Sequence, residues 1–98
     1  GPLYKSVSFV KNIAYVLFDY ADGLKAVEEG EALRTFEVAG EDQIFYPAKA
    51  IVEGKRVKVW SDKVKEPKIV RYGWQPFTRA NIVNGAGLPA STFRSDVE

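Results

Sequence analysis

An all-β sandwich is the fold class that this sequence predicts, and three observations predict it. Short segments of alternating apolar and polar residues recur along the chain, turn residues separate them about every eight to twelve residues, and no segment has the period of an amphipathic helix. The 98 residues leave room for a single domain, residues 1–98. Together these features are typical of an immunoglobulin-like or fibronectin-like sandwich of about six to seven strands, here followed by a long C-terminal loop.

Two strands joined by a tight turn open the chain. Residues 3–10 alternate, with Leu3, Lys5, Val7 and Phe9 on one face and Tyr4, Ser6, Ser8 and Val10 on the other. This alternation predicts a strand with one half-buried side. Residues 13–20 are apolar on both faces, so the second strand is predicted to lie centrally in a sheet.

An acidic segment follows, which we interpret as a loop. Its carboxylates are Asp19, Asp22, Glu28, Glu29 and Glu31, and Gly23 can supply the positive φ of a sharp turn. Calcium needs six to eight oxygen ligands, and this spacing does not match the helical calcium-binding loop. A solvated acidic loop is therefore favoured over a metal site.

Four further strands are predicted after the acidic segment. Residues 32–39 carry Phe36 and Val38 on one face, and residues 44–53 carry Ala48, Ala50 and Val52 inward. Pro47 cannot donate a ladder hydrogen bond, so its end of the strand is predicted to be an edge or a bulge. Residues 56–60 return as a hairpin arm, and residues 68–74 form the last clear strand.

Composition argues against several classes of function. The chain has no histidine and no cysteine, so it holds neither a Ser-His-Asp triad nor a Cys/His metal site, and a Ser91–Asp96 pair would lack a base. Fourteen basic residues balance 13 acidic ones, which argues against a dedicated nucleic-acid binder. No apolar run reaches the length of a membrane span. We predict no catalytic residue, metal or cofactor in this chain, and no nucleic-acid or membrane partner.

Two groups of residues are candidate contact sites. Arg56, Lys58 and Trp60 share one strand face, which can stack on sugars or bases but is more typical of an ordinary outer sheet face. The loop after residue 73 is long for a compact domain, and long loops are often functional. The candidate glycan or domain contacts are Trp60 from this strand and, from the loop, Trp74, Phe77, Asn81, Asn84, Phe93 and Arg94.

Three interpretations of the loop stay open. Aromatic faces, amides and guanidinium groups together suit a glycan. Alternatively, Trp74 and Phe93 plug the end of the sandwich while Asn84, Gly85 and Gly87 only turn the chain. A third interpretation, docking on a domain absent from this chain, fits the apolar content of the loop better than free exposure does.

The segments 70–74, VRYGW, and 87–96, GLPASTFRSD, resemble the ending of the sialate O-acetylesterase family. Members of that family close with a VRYxW strand and an asparagine-containing loop that runs into GLPASPFRTD. Here Thr92 replaces the family's proline, Ser95 its threonine, and residues 81–84 read NIVN instead of NLYN. Residues 1–6, 36–40 and 46–50 also resemble the family, so the likeness covers nearly the whole chain.

The resemblance implies that this chain is the C-terminal β-sandwich of a larger SGNH-type carbohydrate esterase. In that family, a catalytic domain with a serine nucleophile near its start and an Asp-x-x-His pair near its end precedes the sandwich. None of those residues maps onto this chain, in agreement with its lack of histidine. The implied partner is that catalytic domain, and the implied location is periplasmic or secreted.

The resulting expectation is a non-catalytic accessory domain that packs on the catalytic domain of an O-acetylesterase. The alternative is a glycan-binding module that uses Trp74, Trp60 and Arg94. A folding or assembly module is the third possibility.

Overall fold

Two antiparallel four-stranded sheets pack against each other in the computed structural model, which describes residues 1–28, 30–74 and 80–97. The first sheet contains, in spatial order, β1 (Leu3–Val10), β2 (Ile13–Asp19), β7 (Arg56–Trp60) and β6 (Lys49–Glu53). The second contains β10 (Phe93–Arg94), β8 (Ile69–Tyr72), β4 (Phe36–Ala39) and β5 (Phe45–Pro47). This arrangement confirms the predicted all-β sandwich. Its strand order is that of a constant-type immunoglobulin domain, except that the sheet with three strands in that fold has a fourth here, the edge strand β5 beside β4.

The core lies between the sheets and is built from the inward positions of both. The fully buried side chains include Val16, Val57 and Val59 from the first sheet and Val38 and Val70 from the second. Because successive strand residues point to opposite faces, these alternating valines place one face of each sheet inside. The prediction that β2 is central is also confirmed, since it pairs with both β1 and β7.

The face assignment in β1 was wrong, because a bulge interrupts the alternation. The pairing with β2 shifts between Tyr4 and Ser6, which adds one unpaired residue at Lys5. Tyr4 and Val7 therefore share the inner face and pack on the core. Leu3, predicted to share a face with Val7, is instead 45% exposed.

Two predicted strands are shorter than their patterns indicated. Residues 32–35 do not join β4, since Thr35 has a φ of 68°, which ends the extended backbone. The segment 44–53 divides at Ala48, so β5 belongs to the second sheet and β6 to the first. Pro47 does lie in an edge strand, as predicted.

The described part of the C-terminal segment is mostly irregular, as predicted, but it folds back on its own domain and contains two short strands. Its residues form β10 and a short strand, β9 (Ile82–Val83), which pairs with β3 (Lys25–Ala26) inside the acidic loop. The turn before β3 requires glycine, because Gly23 has a φ of 72° and a Cβ there would lie 2.7 Å from the Gly85 Cα. The described residues contain no helix that is long and apolar enough to cross a membrane.

Tyr72 is buried in the core and contacts the C-terminal segment through its hydroxyl group. Its ring is buried, and its hydroxyl oxygen accepts a hydrogen bond of 2.9 Å from the Ile82 N–H. Burial raises the pKa of Tyr72 above its ordinary value of 10.0, because the charged phenolate loses hydration inside the core. The folded state therefore holds this proton more tightly than the unfolded state does.

Raising the pH is accordingly expected to weaken the fold through Tyr72. The contribution to stability is complete below the unfolded pKa of about 10 and is lost as the pH rises through the higher folded pKa. Urea unfolding of the natural chain and of Tyr72→Phe between about pH 9 and pH 11 checks this. The natural chain should lose more stability over that range than the variant, whereas equal losses would contradict the assignment.

Candidate interface on the second sheet

The structure separates the predicted contact residues into three groups. Trp60 lies at the end of β7 in the first sheet, while Trp74 and Arg94 lie beside each other on the second. Asn81, Asn84 and Phe93 are buried. Phe77 lies outside the described residues. The candidates therefore do not form one contiguous site.

Asn81 connects two segments of the chain through its side-chain amide. Its Oδ1 accepts the Arg34 N–H at 2.8 Å, and its Nδ2 donates to the Ala32 carbonyl at 2.9 Å. Asn81 is only 2% exposed. Both ends of this amide are thus used within the domain, and the residue is a structural link between the C-terminal segment and the approach to β4.

Asn84 organises a turn in the same way. Its Oδ1 accepts the N–H groups of Ala86 at 3.0 Å and Leu88 at 3.1 Å, and its Nδ2 donates to the Tyr20 carbonyl at 3.4 Å. Asparagine favours such turns because its side chain can bond to nearby backbone groups. The interpretation in which Asn84 turns the chain therefore agrees with this geometry.

Phe93 is a core residue. Its ring stacks on Tyr4 with 4.5 Å between ring centroids and meets Phe18 edge-on at 5.7 Å. It also lies 6.2 Å from the Tyr72 ring, so it contacts aromatic residues of both sheets. The plug interpretation thus holds for Phe93 but not for Trp74, which is 48% exposed.

The exposed side of the second sheet carries a set of stacked arginine and aromatic side chains, which we call the arginine–aromatic face: Phe45, Arg71, Trp74 and Arg94. The Arg71 Cζ lies 3.7 Å from the centre of the Phe45 ring. The Arg94 Cζ lies 5.3 Å from the same ring and 5.8 Å from that of Trp74. Guanidinium groups attract aromatic faces through the ring quadrupole. The contacts therefore bring together planar groups from β5, β8 and β10 and from Trp74, which follows β8.

Two carboxylates hold the arginines of this face in place. The Arg71 Nε donates to Glu37 at 2.9 Å, and Arg94 makes two bonds to Asp96, at 2.6 and 3.0 Å. The hydrogen bond from Arg94 lowers the pKa of the Asp96 carboxyl below its ordinary value. The two-bond pair with Asp96 fixes the plane of the Arg94 guanidinium, and the single bond to Glu37 holds that of Arg71.

Backbone strain lies next to the same face. Thr35 is a β-branched residue with a φ of 68°, a conformation that is rare for such residues. Its carbonyl accepts the Gly73 N–H at 3.2 Å, directly before Trp74. Among the described residues, its buried Oγ1 finds no hydrogen-bond partner. Strain and unpaired polar atoms of this kind tend to occur where a protein has a functional contact.

Sequence reasoning identified Trp74 and Arg94 but missed Phe45 and Arg71. Arg71 pairs with both Glu37 and Arg94 across the sheet, so its position depends on a register that joins distant parts of the chain. Because successive residues of β8 point to opposite faces of the sheet, the sequence alone could have indicated that Arg71 faces outward. In the described ranges, no group of three or more acidic side chains is arranged to hold a metal ion.

Comparison with known proteins relates this domain to one class of enzyme. No protein-family model and no curated protein matches the chain. Among solved structures, it is similar to a carbohydrate acetylesterase from Xanthomonas citri, with 42% sequence identity and a TM-score of 0.90. The match covers 100% of this chain and 23% of that chain. The chain thus spans less than a quarter of the length of that esterase, which is consistent with its being a domain of such an enzyme.

Proposed function

We propose that this chain is a non-catalytic accessory domain of a carbohydrate O-acetylesterase. The observation that carries the proposal is the likeness of the whole chain, at 42% identity, to 23% of a carbohydrate acetylesterase. The absence of histidine and cysteine from all 98 residues supports it, since the usual nucleophile–base pairs cannot be assembled here. The catalytic groups then belong to another domain of the parent protein.

We further infer that the arginine–aromatic face packs on that catalytic domain. Tryptophan and arginine are the residues most often found at the energetic centre of protein interfaces. Trp74 is 48% exposed in the isolated chain. Its neighbour Arg94 is held in a fixed orientation by Asp96. An ordered planar group that is left half-exposed loses little side-chain entropy when a partner covers it.

Three residues of the C-terminal segment are weaker candidates for docking than this face. Asn81, Asn84 and Phe93 are used within the domain, so they offer few groups to a partner. The proposed docking surface is therefore the outer side of the second sheet, to which the C-terminal segment contributes Arg94.

The resemblance of the chain ending extends the proposal to the parent enzyme. Its expected substrates are O-acetylated sialic acids or related glycans, and its expected location is the periplasm or the extracellular space. The whole enzyme should release acetate from O-acetylated sialic acid. Activity on acetylated plant polysaccharide alone would assign a different substrate.

The isolated chain is expected to show no turnover of acetyl esters, because it lacks the histidine that serves as the base for a serine nucleophile. Release of p-nitrophenol from p-nitrophenyl acetate, corrected for spontaneous hydrolysis, measures this. Ser91→Ala is the matched control, since Ser91 is an exposed serine within the family-like ending. Clear activity that disappears in Ser91→Ala would overturn the non-catalytic assignment.

The alternative of a glycan module that combines Trp60, Trp74 and Arg94 has a geometric difficulty. Trp60 belongs to the first sheet, whereas Trp74 and Arg94 lie on the second. A glycan contact at Trp60 would have to use the residues around it on its own sheet.

A further inference from the structure

A shallow cleft lies beside Trp60, where β7 ends and the chain crosses from β5 into β6. Its volume is about 280 Å³. The residues that line it are Pro47, Lys49, Trp60, Ser61, Asp62 and Lys63. Clefts that hold small ligands usually measure roughly 300–1,000 Å³, so this one, just below that range, suits a ligand no larger than about one sugar ring.

The walls of the cleft are fixed by the sheet and by a turn. Lys49 is the cross-strand neighbour of Trp60 in the β6–β7 pairing. Beyond Trp60, the Ser61 Oγ accepts the Lys63 N–H at 3.2 Å, and the Ser61 carbonyl accepts the N–H of buried Val64 at 3.1 Å. Trp60 faces outward because its neighbour Val59 is fully buried in the core. The indole is therefore presented on a rigid frame.

Basic residues lie beside this indole. The Lys58 Nζ lies 5.6 Å from the centre of the Trp60 ring, and Lys49, the cross-strand neighbour of Trp60, lines the cleft. Lys63 also lines the cleft, although its Nζ lies 5.8 Å from the centre of the Tyr46 ring. Within the described ranges, none of these three lysines makes an ion pair with a carboxylate. Asp62 is the acidic residue among the cleft-lining side chains. The excess of positive charge is local, because the chain as a whole carries only +1.

These features are complementary to a ligand that has an apolar face, hydroxyl groups and a negative charge. An indole covers the C–H face of a pyranose ring. Lysine ammonium groups bind a carboxylate as compact point charges, and the Asp62 carboxylate accepts hydrogen bonds from hydroxyls. We propose that the Trp60 cleft binds a pyranose that bears a carboxylate, such as a uronic acid unit of an acidic polysaccharide.

This inference rests on the proposed function only for the presence of carbohydrate near the domain. The cleft is lined mainly by residues of the first sheet and of the turn after β7, with Pro47 of the edge strand β5 at its border. Three of the four residues of the arginine–aromatic face, Arg71, Trp74 and Arg94, lie on or just after β8 and β10 instead. A domain that docks through those three residues could therefore still hold an acidic glycan in the cleft. A binding measurement on the isolated chain tests the cleft whether or not the docking proposal is correct.

The test follows the two indole N–H signals by nuclear magnetic resonance during titration of the 98-residue chain with oligogalacturonate. The Trp60 signal, assigned with a Trp74→Phe variant, should move and saturate, while the Trp74 signal should not. A neutral galacto-oligosaccharide should bind more weakly, and sodium acetate and inorganic phosphate more weakly still. Isothermal titration calorimetry measures the variant without this indole: Trp60→Ala should weaken binding about tenfold, as expected for loss of an aromatic contact of roughly 1.4 kcal/mol.

Two matched variants complete the experiment. Lys49→Gln should weaken the acidic sugar several-fold while leaving the neutral sugar unchanged. Tyr20→Ala removes an aromatic side chain that is 72% exposed and distant in sequence from the cleft, and it should leave binding unchanged. A Trp60 signal that does not respond to oligogalacturonate would overturn the proposal. So would equal affinity for phosphate, or an equal loss of binding in Tyr20→Ala.

Discussion

Replacing Phe93 with alanine is expected to destabilise this domain by roughly 3–5 kcal/mol, the range for removing a buried phenylalanine ring. The ring stacks on Tyr4 and meets Phe18 in the first sheet, and it lies near Tyr72 in the second. Its loss leaves a cavity between the sheets and releases the end of the chain from the core. Because small domains are stable by only about 5–15 kcal/mol, the variant should be close to unfolding at room temperature.

Urea unfolding followed by circular dichroism measures the change, with an unchanged slope showing that two-state behaviour is retained. Phe93→Leu provides a variant that should fold, since it keeps most of the buried volume. Phe9→Ala is the matched control, because Phe9 is 36% exposed and its loss should cost only about 1 kcal/mol. If Phe93→Ala cost no more than Phe9→Ala, Phe93 would not be the core residue described above.

Asn81→Ala is expected to cost roughly 2–4 kcal/mol, from the loss of two hydrogen bonds at a buried site. Both bonds join the C-terminal segment to the stretch before β4, through the Ala32 carbonyl and the Arg34 N–H. Thermal unfolding of the variant and of the natural chain gives the difference. A loss below about 0.5 kcal/mol, the size typical of surface substitutions, would contradict the structural role of this amide.

Asn81→Asp separates the hydrogen bonds from the shape of the side chain. An ionised carboxylate can accept the Arg34 N–H but cannot donate to the Ala32 carbonyl, and its burial is unfavourable. At neutral pH this variant should therefore be no more stable than Asn81→Ala. Acidification should recover part of the loss relative to the natural chain, because a protonated carboxyl regains a donor.

Local alternation in the sequence was sufficient to predict the inner faces of β6 and β7. Their inward positions follow a period of two, and these side chains lie toward the core as predicted. The departures arise where backbone geometry or tertiary pairing overrides that period. They are the bulge at Lys5, the positive φ of Thr35 and the change of sheet at Ala48.

The candidate interface was only half predictable for a related reason. Trp74 and Arg94 are conspicuous in an irregular stretch, and they do lie together. Phe45 and Arg71 join them only through the pairing of β8 with β10 and β4 and of β4 with β5, which brings together residues far apart in the chain. Conversely, asparagine is a common glycan contact, but the side chains of Asn81 and Asn84 instead form hydrogen bonds with backbone groups of this domain.

Hydroxyl-radical footprinting tests most directly whether the arginine–aromatic face packs on a catalytic domain. The chain has two tryptophans, and each sheet carries one near its exposed side, so Trp60 serves as the internal control for Trp74. Oxidation of each is measured by mass spectrometry of separate tryptic peptides, in the isolated chain and in the whole esterase. The docking proposal predicts that Trp74 oxidises readily in the isolated chain and is strongly protected in the whole esterase, while Trp60 oxidises similarly in both. Unchanged oxidation of Trp74, or protection of Trp60 alone, would contradict it.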